Sequence, residues 1–568
     1  MFAVKTSDSP ELGKESDQII GSSAPRESVT ILLNPTCVLV FMAQEKSQKA
    51  ASDKEASGIL DVETMTIFCK KKGFVYKTSE IYGGAAGFWD FGPLGAELNN
   101  TVKRTWWKRF VQDRDDVVGM DGAIISHPKV WEASGHAANF ADIVLTCSKC
   151  NFKARADQLI ESTLGLKCDG WKSAQINKCV ADNHMKCPEC KSPFNEAKDF
   201  NLMFETTIGP VKSAENTAFL RPETAQHIFS NFKIICDTAR VKLPFGIAQV
   251  GKAFRNEISP RDFLFRKREF ELMEIEFFVH PDKIKDCPIF AEVKDLEIGI
   301  LTSEAQEAGK DCVHVKTIDE ISQKYTTQWH AYWLGAILKW FINDLGIKPE
   351  NLRLREHLKS ELAHYASACF DIEYKFPFGW KEVHGNADRT TYDLTQHMKF
   401  SKTDLSYFDE ETKMKVVPYV ASEPSQGVDR AFLAVMFDAY HDDKARGNIV
   451  LRLKPSIAPV QVAVFPLVNK LDAGARTMYR DLKTCFPSQF DRSGSVGRRY
   501  ARADEIGVPY CVTYDFESET DKTVTIRDRD TTLQIRVPIA GLKTILADLI
   551  AGRAEFSTAG KKIEAKQE

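Results

Sequence analysis

The chain has 568 residues, with 76 Lys and Arg against 79 Asp and Glu, a net charge of −3, and 43% of its residues hydrophobic. A single core stops growing near roughly 250–300 residues, so these values describe about two to four globular domains and exclude collagen, a coiled-coil rod and a wholly disordered chain. Near-neutral charge also excludes a general polybasic mechanism, so any nucleic acid must be held by local patches.

Fourteen cysteines, four of them in two C-x-x-C pairs, are too sparse for a secreted disulfide scaffold and indicate a reducing, cytoplasmic setting. Residues 1–60 read as a disordered leader rich in Ser, Lys, Glu and Ala. Within it, VTILLNPTCVLVFMA (29–43) is too short to span roughly 30 Å of hydrocarbon and is broken by Asn34-Pro35, so no membrane partner is expected. Order is expected from Val62. A glycine-rich turn, YGGAAGFWDFGPLG, precedes a helix whose Leu98, Val102, Trp106 and Phe110 share one face. Strands are expected over 200–280, a mostly helical insertion over 284–362, and more strands over 370–422 leading into an apolar helix from Gly427. A separate α/β domain occupies 456–552, followed by a disordered tail over 553–568.

Cys147, Cys150, Cys187 and Cys190 offer four thiolates from two tight turns, a structural Zn²⁺ set with no open position for substrate. The 36 residues between the pairs exceed the usual ribbon spacing of ~15–20, so the cluster lies in a zinc-binding insertion, 141–200, with Cys168, Cys179 and His184 as fallback ligands.

In GIAQVGKAFRNE (246–257), strand alternation puts Gln249, Gly251, Ala253, Arg255 and Glu257 on one face, where small residues leave room beside the charges. RKREFELMEIEFFVH (266–280) turns Met273, Ile275, Phe277 and Val279 inward and Glu274, Glu276, Phe278 and His280 the other way. Arginine beside carboxylates suits a ligand with phosphate and amine groups, because the guanidinium fork grips phosphate and carboxylates hold ammonium or Mg²⁺. The competing reading is a salt-bridged, solvated sheet face. In EPSQGVDRAFLAVMFDAY (423–440), Gly427 opens a helix with Arg430 in its first turn, which offers an anion backbone N–H groups and a guanidinium together.

FRNE (254–257) followed by Arg266 to Phe270 resembles motif 2 of the class II aminoacyl-tRNA synthetases, and GVDR (427–430) resembles motif 3. NLMFET, FLRPETAQ, LPFGIAQVGKAFRNEISPR and HYASACFDIEYKFPFGW resemble the glycyl-tRNA synthetases of the homodimeric type, and the likeness runs from about residue 62 to 550. It implies an α+β catalytic domain over 61–455 around a seven-stranded antiparallel class II sheet, and a C-terminal α/β anticodon-binding domain. The implied partners are ATP with Mg²⁺, glycine, tRNA-Gly and a second copy of the chain, with the helix at 96–111 and the segment around Pro128 at the dimer contact.

By matching positions, catalysis falls to Arg255, Glu257 and Arg430. ATP would be bound by Arg255, Asn256, Glu257, Phe265, Arg266, Phe270, Glu382, Val383, Gly427 and Arg430, with Phe270 stacked on adenine. Glycine would be held by Glu223, Phe270, Glu274, Glu423 and Ser425, with Arg155 and Arg389 on the rim. The sequence departs from the family strings at His227, at Phe263 where a loop glycine is usual, and at Lys381, His384, Asp388 and Thr391.

Residues 456–568 carry 17 basic against 15 acidic residues, so tRNA contact is assigned to the Arg-rich run 492–502, through Arg498, Arg499 and Arg502. The alternative of another functional class is a synthetase-like RNA-binding regulator without catalysis. Retention of Arg255, Glu257, Phe270 and Arg430 argues against it.

Overall fold

A computed structural model describes residues 60–563 apart from 151, 167, 169, 212, 214 and 215. The leader and the apolar stretch 29–43 lie outside the described residues. The first described helix opens at an N-cap: Asp61 accepts a hydrogen bond from Thr64 N–H at the start of helix Val62–Lys72, which Gly73 closes in the left-handed conformation. Among the described residues no helix is long and apolar enough to cross a membrane.

Nine strands form the central sheet: β1 (Val117–Met120), β2 (Phe245–Phe254), β3 (Glu269–Val279), β4 (Glu297–Leu301), β5 (His314–Thr317), β6 (Leu352–Glu356), β7 (Ala368–Phe376), β8 (Gly379–Asp388) and β9 (Tyr419–Gly427). Their order is β5-β4-β6-β7-β8-β9-β3-β2-β1. Neighbours are antiparallel except for β1 with β2 and β4 with β6. The sheet is thus wider than seven strands. The segment 284–362 carries helices Ser303–Glu307, Ile318–Lys324 and Gln328–Lys339, and it also supplies β4, β5 and β6 at one end of the sheet. Ile298 with Ile300 and Leu352 with Leu354 repeat at period two and are buried, and that short alternation outweighs the helical pattern around it.

One face of the sheet is core. Met273, Ile275, Phe277 and Val279 are buried as the alternation requires, and Phe277 packs between Trp329 and Trp333 with ring centroids 4.8 and 5.2 Å away. Burial of such a side chain contributes roughly 2–3 kcal/mol. Helix Val428–Ala439 covers the same face through Val428, Ala431, Phe432 and Val435. The opposite face carries the polar residues of β3 and, at its far end, Phe278 against Phe229 and Phe232 of helix Ala225–Ala239.

Residues 141–201 form a small unit of their own, with strand Ala141–Thr146 paired antiparallel to Lys153–Arg155 and Lys198–Asn201. Helices Ala156–Leu164 and Ser173–Asp182 close it around Leu145, Ile160 and Ile176. Cys168 and Cys179 pack into that core and are not metal ligands beside the four-cysteine cluster.

The C-terminal sheet runs Ser488–Phe490, Val462–Pro466, Tyr510–Tyr514, Thr523–Asp528, Gln534–Pro538 and Lys561–Lys562. Its first three strands are parallel and the rest antiparallel. Residues 553–563 are therefore not disordered tail: Lys561 and Lys562 pair with Arg536 and Ile535, giving the sheet edge a partner. Two lysines in so polar a stretch give no apolar alternation from which a strand could be read.

Candidate active site

The register of the sheet gathers the polar residues. Glu274 pairs with Ser425, Ser425 with Gly385 and Gly385 with Asp371, so four neighbouring strands present these residues on one face. Gly385 keeps the floor open: a Cβ there would meet only Glu382 Oε1 at 3.8 Å and Asp371 Oδ1 at 3.9 Å. On β2 the alternation holds to Ala253, but the strand ends at Phe254, and Arg255 to Glu257 form the turn beyond it. Gly251 is demanded by a close approach, since a Cβ would stand 2.1 Å from Arg221 Nη2. Arg221 in turn donates to Lys252 O at 2.7 Å and Gly122 O at 2.7 Å, tying three chain segments behind the site.

The amino-acid side is a closed carboxylate cage. Glu274 accepts from Thr224 N at 2.9 Å, from the Thr224 hydroxyl and from Ser425 Oγ at 2.6 Å. Arg389 lies at the base of the cage and not on its rim: it is 1% exposed, holds Asp393 by two bonds of 2.8 Å, and donates to Glu423 at 2.6 Å. Its guanidinium also stacks 3.8 Å from the Tyr365 ring centroid. Burial alone would raise Glu223, but His136 at 3.1 Å, Arg389 and Gln226 outweigh it and hold this carboxyl well below the usual range. Glu423 goes the other way. Burial, reinforced by Glu274 and Glu223 and only partly offset by Arg389, pushes it up to about 8.

The nucleotide side is arginine-lined and less satisfied. Arg255, Glu257, Phe265, Arg266, Phe270, Glu382, Ser425, Gly427 and Arg430 border a cavity of about 130 Å³. Arg255 donates to Pro222 O at 3.1 Å and lies 5.3 Å from the Phe270 ring centroid. Arg266 keeps a buried Nη1 with no partner, and Glu257 a buried Oε2 with none. Arg430 lies 4.5 Å from the centroid of Phe265 and pairs with Glu382 at 2.9 Å. Asn256 donates its backbone N–H to Leu202 O at 2.7 Å, and the buried Val383 offers its carbonyl to Gln426 at 2.8 Å. Arg155 is held by Asp142 at 3.1 Å and Asp157 at 2.6 Å, in the field of Glu257 rather than among the glutamates of the cage.

Several contributors escaped the sequence reading. Each makes a contact distant in sequence: His136 with Glu223, Gln226 with Asp393 and Arg268 with Ala86. Thr224 and Gln226 stand inside FLRPETAQ, so that string was their available signal. Arg268 donates to Glu257 O at 2.8 and 3.0 Å and to Ala86 O at 2.8 Å, which docks the glycine-rich turn 82–95 on the loop after β2. Gly87, at φ +79°, permits that approach, because a Cβ would meet Pro260 at 2.8 Å.

The four cysteines converge: Cys147 Sγ is 3.4 Å from Cys190 Sγ, Cys150 Sγ is 3.6 Å from Cys187 Sγ, and all four sulfurs lie within 4.8 Å of one another. The arginine run divides. Arg498 is exposed and Arg502 is half-exposed against Asp491 at 2.5 Å, but Arg499 is buried and donates to Pro466 O at 2.5 Å. Arg499 is thus a structural strut with no face for RNA, since helical periodicity turns it inward beside its exposed neighbour.

Comparison with known proteins agrees with both halves of the chain. Residues 461–549 match the family described as anticodon binding domain. Over 486 residues, 84% of this chain and 96% of the relative, the sequence is 47% identical to a glycine-tRNA ligase of Caldanaerobacter subterraneus subsp. tengcongensis. It is 46% identical to the Geobacillus thermodenitrificans glycine-tRNA ligase over 499 residues, 86% of this chain and 98% of that one. For the Bacillus anthracis protein of that name the identity is 45%, over 85% of this chain and 98% of the relative. With 45–47% identity over 84–86% of its length to these ligases, the chain belongs to the glycine-tRNA ligase family.

Proposed function

We propose that this chain activates glycine with ATP and transfers the glycyl group to the 3′ end of tRNA-Gly. One observation carries the reading: a carboxylate cage for a small ammonium and an arginine-lined cavity for phosphates open side by side on one sheet face. A carboxylate oxygen of glycine attacks the α-phosphorus of ATP and expels pyrophosphate. The terminal ribose hydroxyl of the tRNA then attacks the glycyl carbonyl and expels AMP. No covalent enzyme intermediate is needed, so positioning and charge neutralisation supply the catalysis. Arg255 meets the α-phosphate and the reacting carboxylate, while Arg266 and Arg430 hold the outer phosphates. Phe270 and Phe265 bracket the base. Glu274, Glu423, Glu223 and Ser425 hold glycine, and their crowding excludes the methyl group of alanine.

Glu257 and Glu382 are the oxygen donors that suit the Mg²⁺ carried with ATP, and Glu257 Oε2 is buried without another partner. That ion neutralises phosphate charge when bound. The cysteine cluster fits structural zinc: a tetrahedral shell with Zn–S near ~2.3 Å sets its sulfurs ~3.8 Å apart, close to the spacings above. Zinc content unchanged after Cys147→Ser with Cys187→Ser would reject that site. Arg498, Arg502 and Arg492 remain as tRNA contacts. We assign a homodimer, supported by the half-exposed Ile124 and Ile125 ahead of Pro128, and light scattering that finds only a 64.0 kDa species at micromolar concentration overturns it. The thirteen free cysteines among the described residues suit a cytoplasmic enzyme.

Glycine-dependent exchange of labelled pyrophosphate into ATP, followed by charging of tRNA-Gly, tests the reading. Exchange with proline, threonine or serine but not with glycine sinks it.

A further inference from the structure

Glu276 on β3 is fully buried, and neither of its carboxyl oxygens has a hydrogen-bond partner. The register that pairs Glu274 with Ser425 and Phe277 with Ser422 sets Glu276 opposite Glu423 on β9, where facing side chains stand roughly 5 Å apart at Cβ. The ionisable groups around this pair come from every element packed on it. Glu274 belongs to β3, Arg389 follows β8, Asp393 belongs to helix Tyr392–Ser401, Glu223 precedes helix Ala225–Ala239 with His136 behind it, and Tyr365 precedes β7. Arg389 is the one guanidinium among them, and it is already committed to Asp393 and Glu423. Facing carboxyls that share so little positive charge cannot both ionise. Burial first, then the field of Glu423, raises Glu276 well above the carboxylate range.

A buried acid without a partner is costly, and such a group calls for a state in which it is satisfied. Glycine supplies that state. We propose that Glu276 is a positioning residue of the amino-acid pocket, a neutral carboxylic acid that donates its O–H to Glu423 when the glycine ammonium arrives, so that glycine is bound against the release of one proton. Charge is conserved at the ammonium end of the pocket: one positive charge enters with the ammonium and one leaves as the Glu423 proton passes to solvent, while the glycine carboxylate goes to Arg255. The Glu423 carboxylate then faces the ammonium on one side and the Glu276 hydroxyl on the other. Arg389 alone leaves that carboxyl largely protonated near neutral pH, so the second donor decides how readily it ionises.

This inference rests on the assignment of the pocket to glycine, and the exchange assay on the unaltered enzyme tests that assignment separately. Calorimetric titration of the enzyme with glycine, in two buffers of different ionisation enthalpy at about pH 7, counts the proton. A value approaching one is expected, and zero overturns the inference. Glu276→Leu is expected to raise the KM for glycine about tenfold, the equivalent of one pKa unit, through KM rather than kcat. It also moves the midpoint of the KM–pH profile upward by about one unit, because Glu423 loses its donor. Glu276→Gln, whose amide N–H still donates, recovers most of both effects. If the glutamine variant is as impaired as the leucine variant, Glu276 acts as a charge and the inference fails. A lowered melting temperature with an unmoved midpoint reduces it to a packing residue. Should the leucine variant not fold, the glutamine variant and the proton count decide alone.

Discussion

The two halves of the substrate face handle charge in opposite ways. In the carboxylate cage, Arg389 gives three hydrogen bonds to two acids and is shut off from solvent, and Glu274 is held by Thr224 and Ser425. Across the same face, Arg266 keeps an unpartnered Nη1, Arg255 spends one donor on a carbonyl, and Arg430 rests on a phenylalanine ring. The difference follows from the ligands. Glycine brings two charged groups and no side chain, so the protein must build nearly all of the cage itself, before binding. ATP brings its own acceptors, so donors can wait unsatisfied where the phosphates go. Stability should therefore live in the first half and chemistry in the second.

The sharpest way to break that contrast is to remove one arginine from each half. Arg255→Ala should cut glycine-dependent pyrophosphate exchange by roughly 10²–10³-fold, the typical loss for one preorganised donor at developing charge. Its melting temperature should stay near that of the unaltered protein, since inside the fold it loses one hydrogen bond, to Pro222 O, and two ring contacts, to Phe140 and Phe270. Full retention of exchange activity would refute its role. Arg389→Met should do the reverse in proportion. Removing the cation leaves the buried Asp393 carboxylate without its two-bond guanidinium partner, and breaking such a buried pair costs about 3–5 kcal/mol. Chemical denaturation followed by tryptophan fluorescence reads this directly, because Trp329 and Trp333 pack on the other face of the same sheet. A shift no larger than that of Arg255→Ala would erase the distinction between the halves.

The cage was the harder half to read from sequence, and the reason is distance along the chain. Glu274 and Glu276 on β3 were legible by alternation, and the three motif arginines by local strings. Strand order was not: Glu276 meets Glu423 only because β9 inserts between β8 and β3. His136 reaches Glu223 across 87 positions, and no periodicity records such a contact. Matching of positions put Arg389 on the rim and carries no depth, whereas two acids and an aromatic ring make its burial tolerable here. Arg499 departs from its expected place for the converse reason. It belongs to an arginine-rich run, yet a single step along the helix separates the exposed Arg498 from a buried strut, and charge composition carries no information about phase.

Phe263 offers the finest test, because it sets local strain against burial in the loop that frames the nucleotide half. Asp262 and Phe263 both adopt positive φ, 59° and 58°, the backbone region that favours glycine. For a non-glycine residue that conformation costs about 1–2 kcal/mol. The ring recovers the cost: Phe263 is buried and meets Trp89 edge-on at 4.8 Å and 89°, worth roughly 1.5–3 kcal/mol in area with ~0.5–1.5 more from the aromatic pair. Phe263→Gly should therefore destabilise slightly, losing the ring but also the strain. Phe263→Ala loses the ring and keeps the strain, so it should be the worse of the two by about 1 kcal/mol. That inverts the usual order, in which glycine is the costlier residue by ~0.5–1 kcal/mol. If alanine proves the better tolerated, the loop is not strained at this position, and the aromatic contact is an addition to the nucleotide pocket rather than the compensation that lets Phe263 stand where a glycine otherwise would.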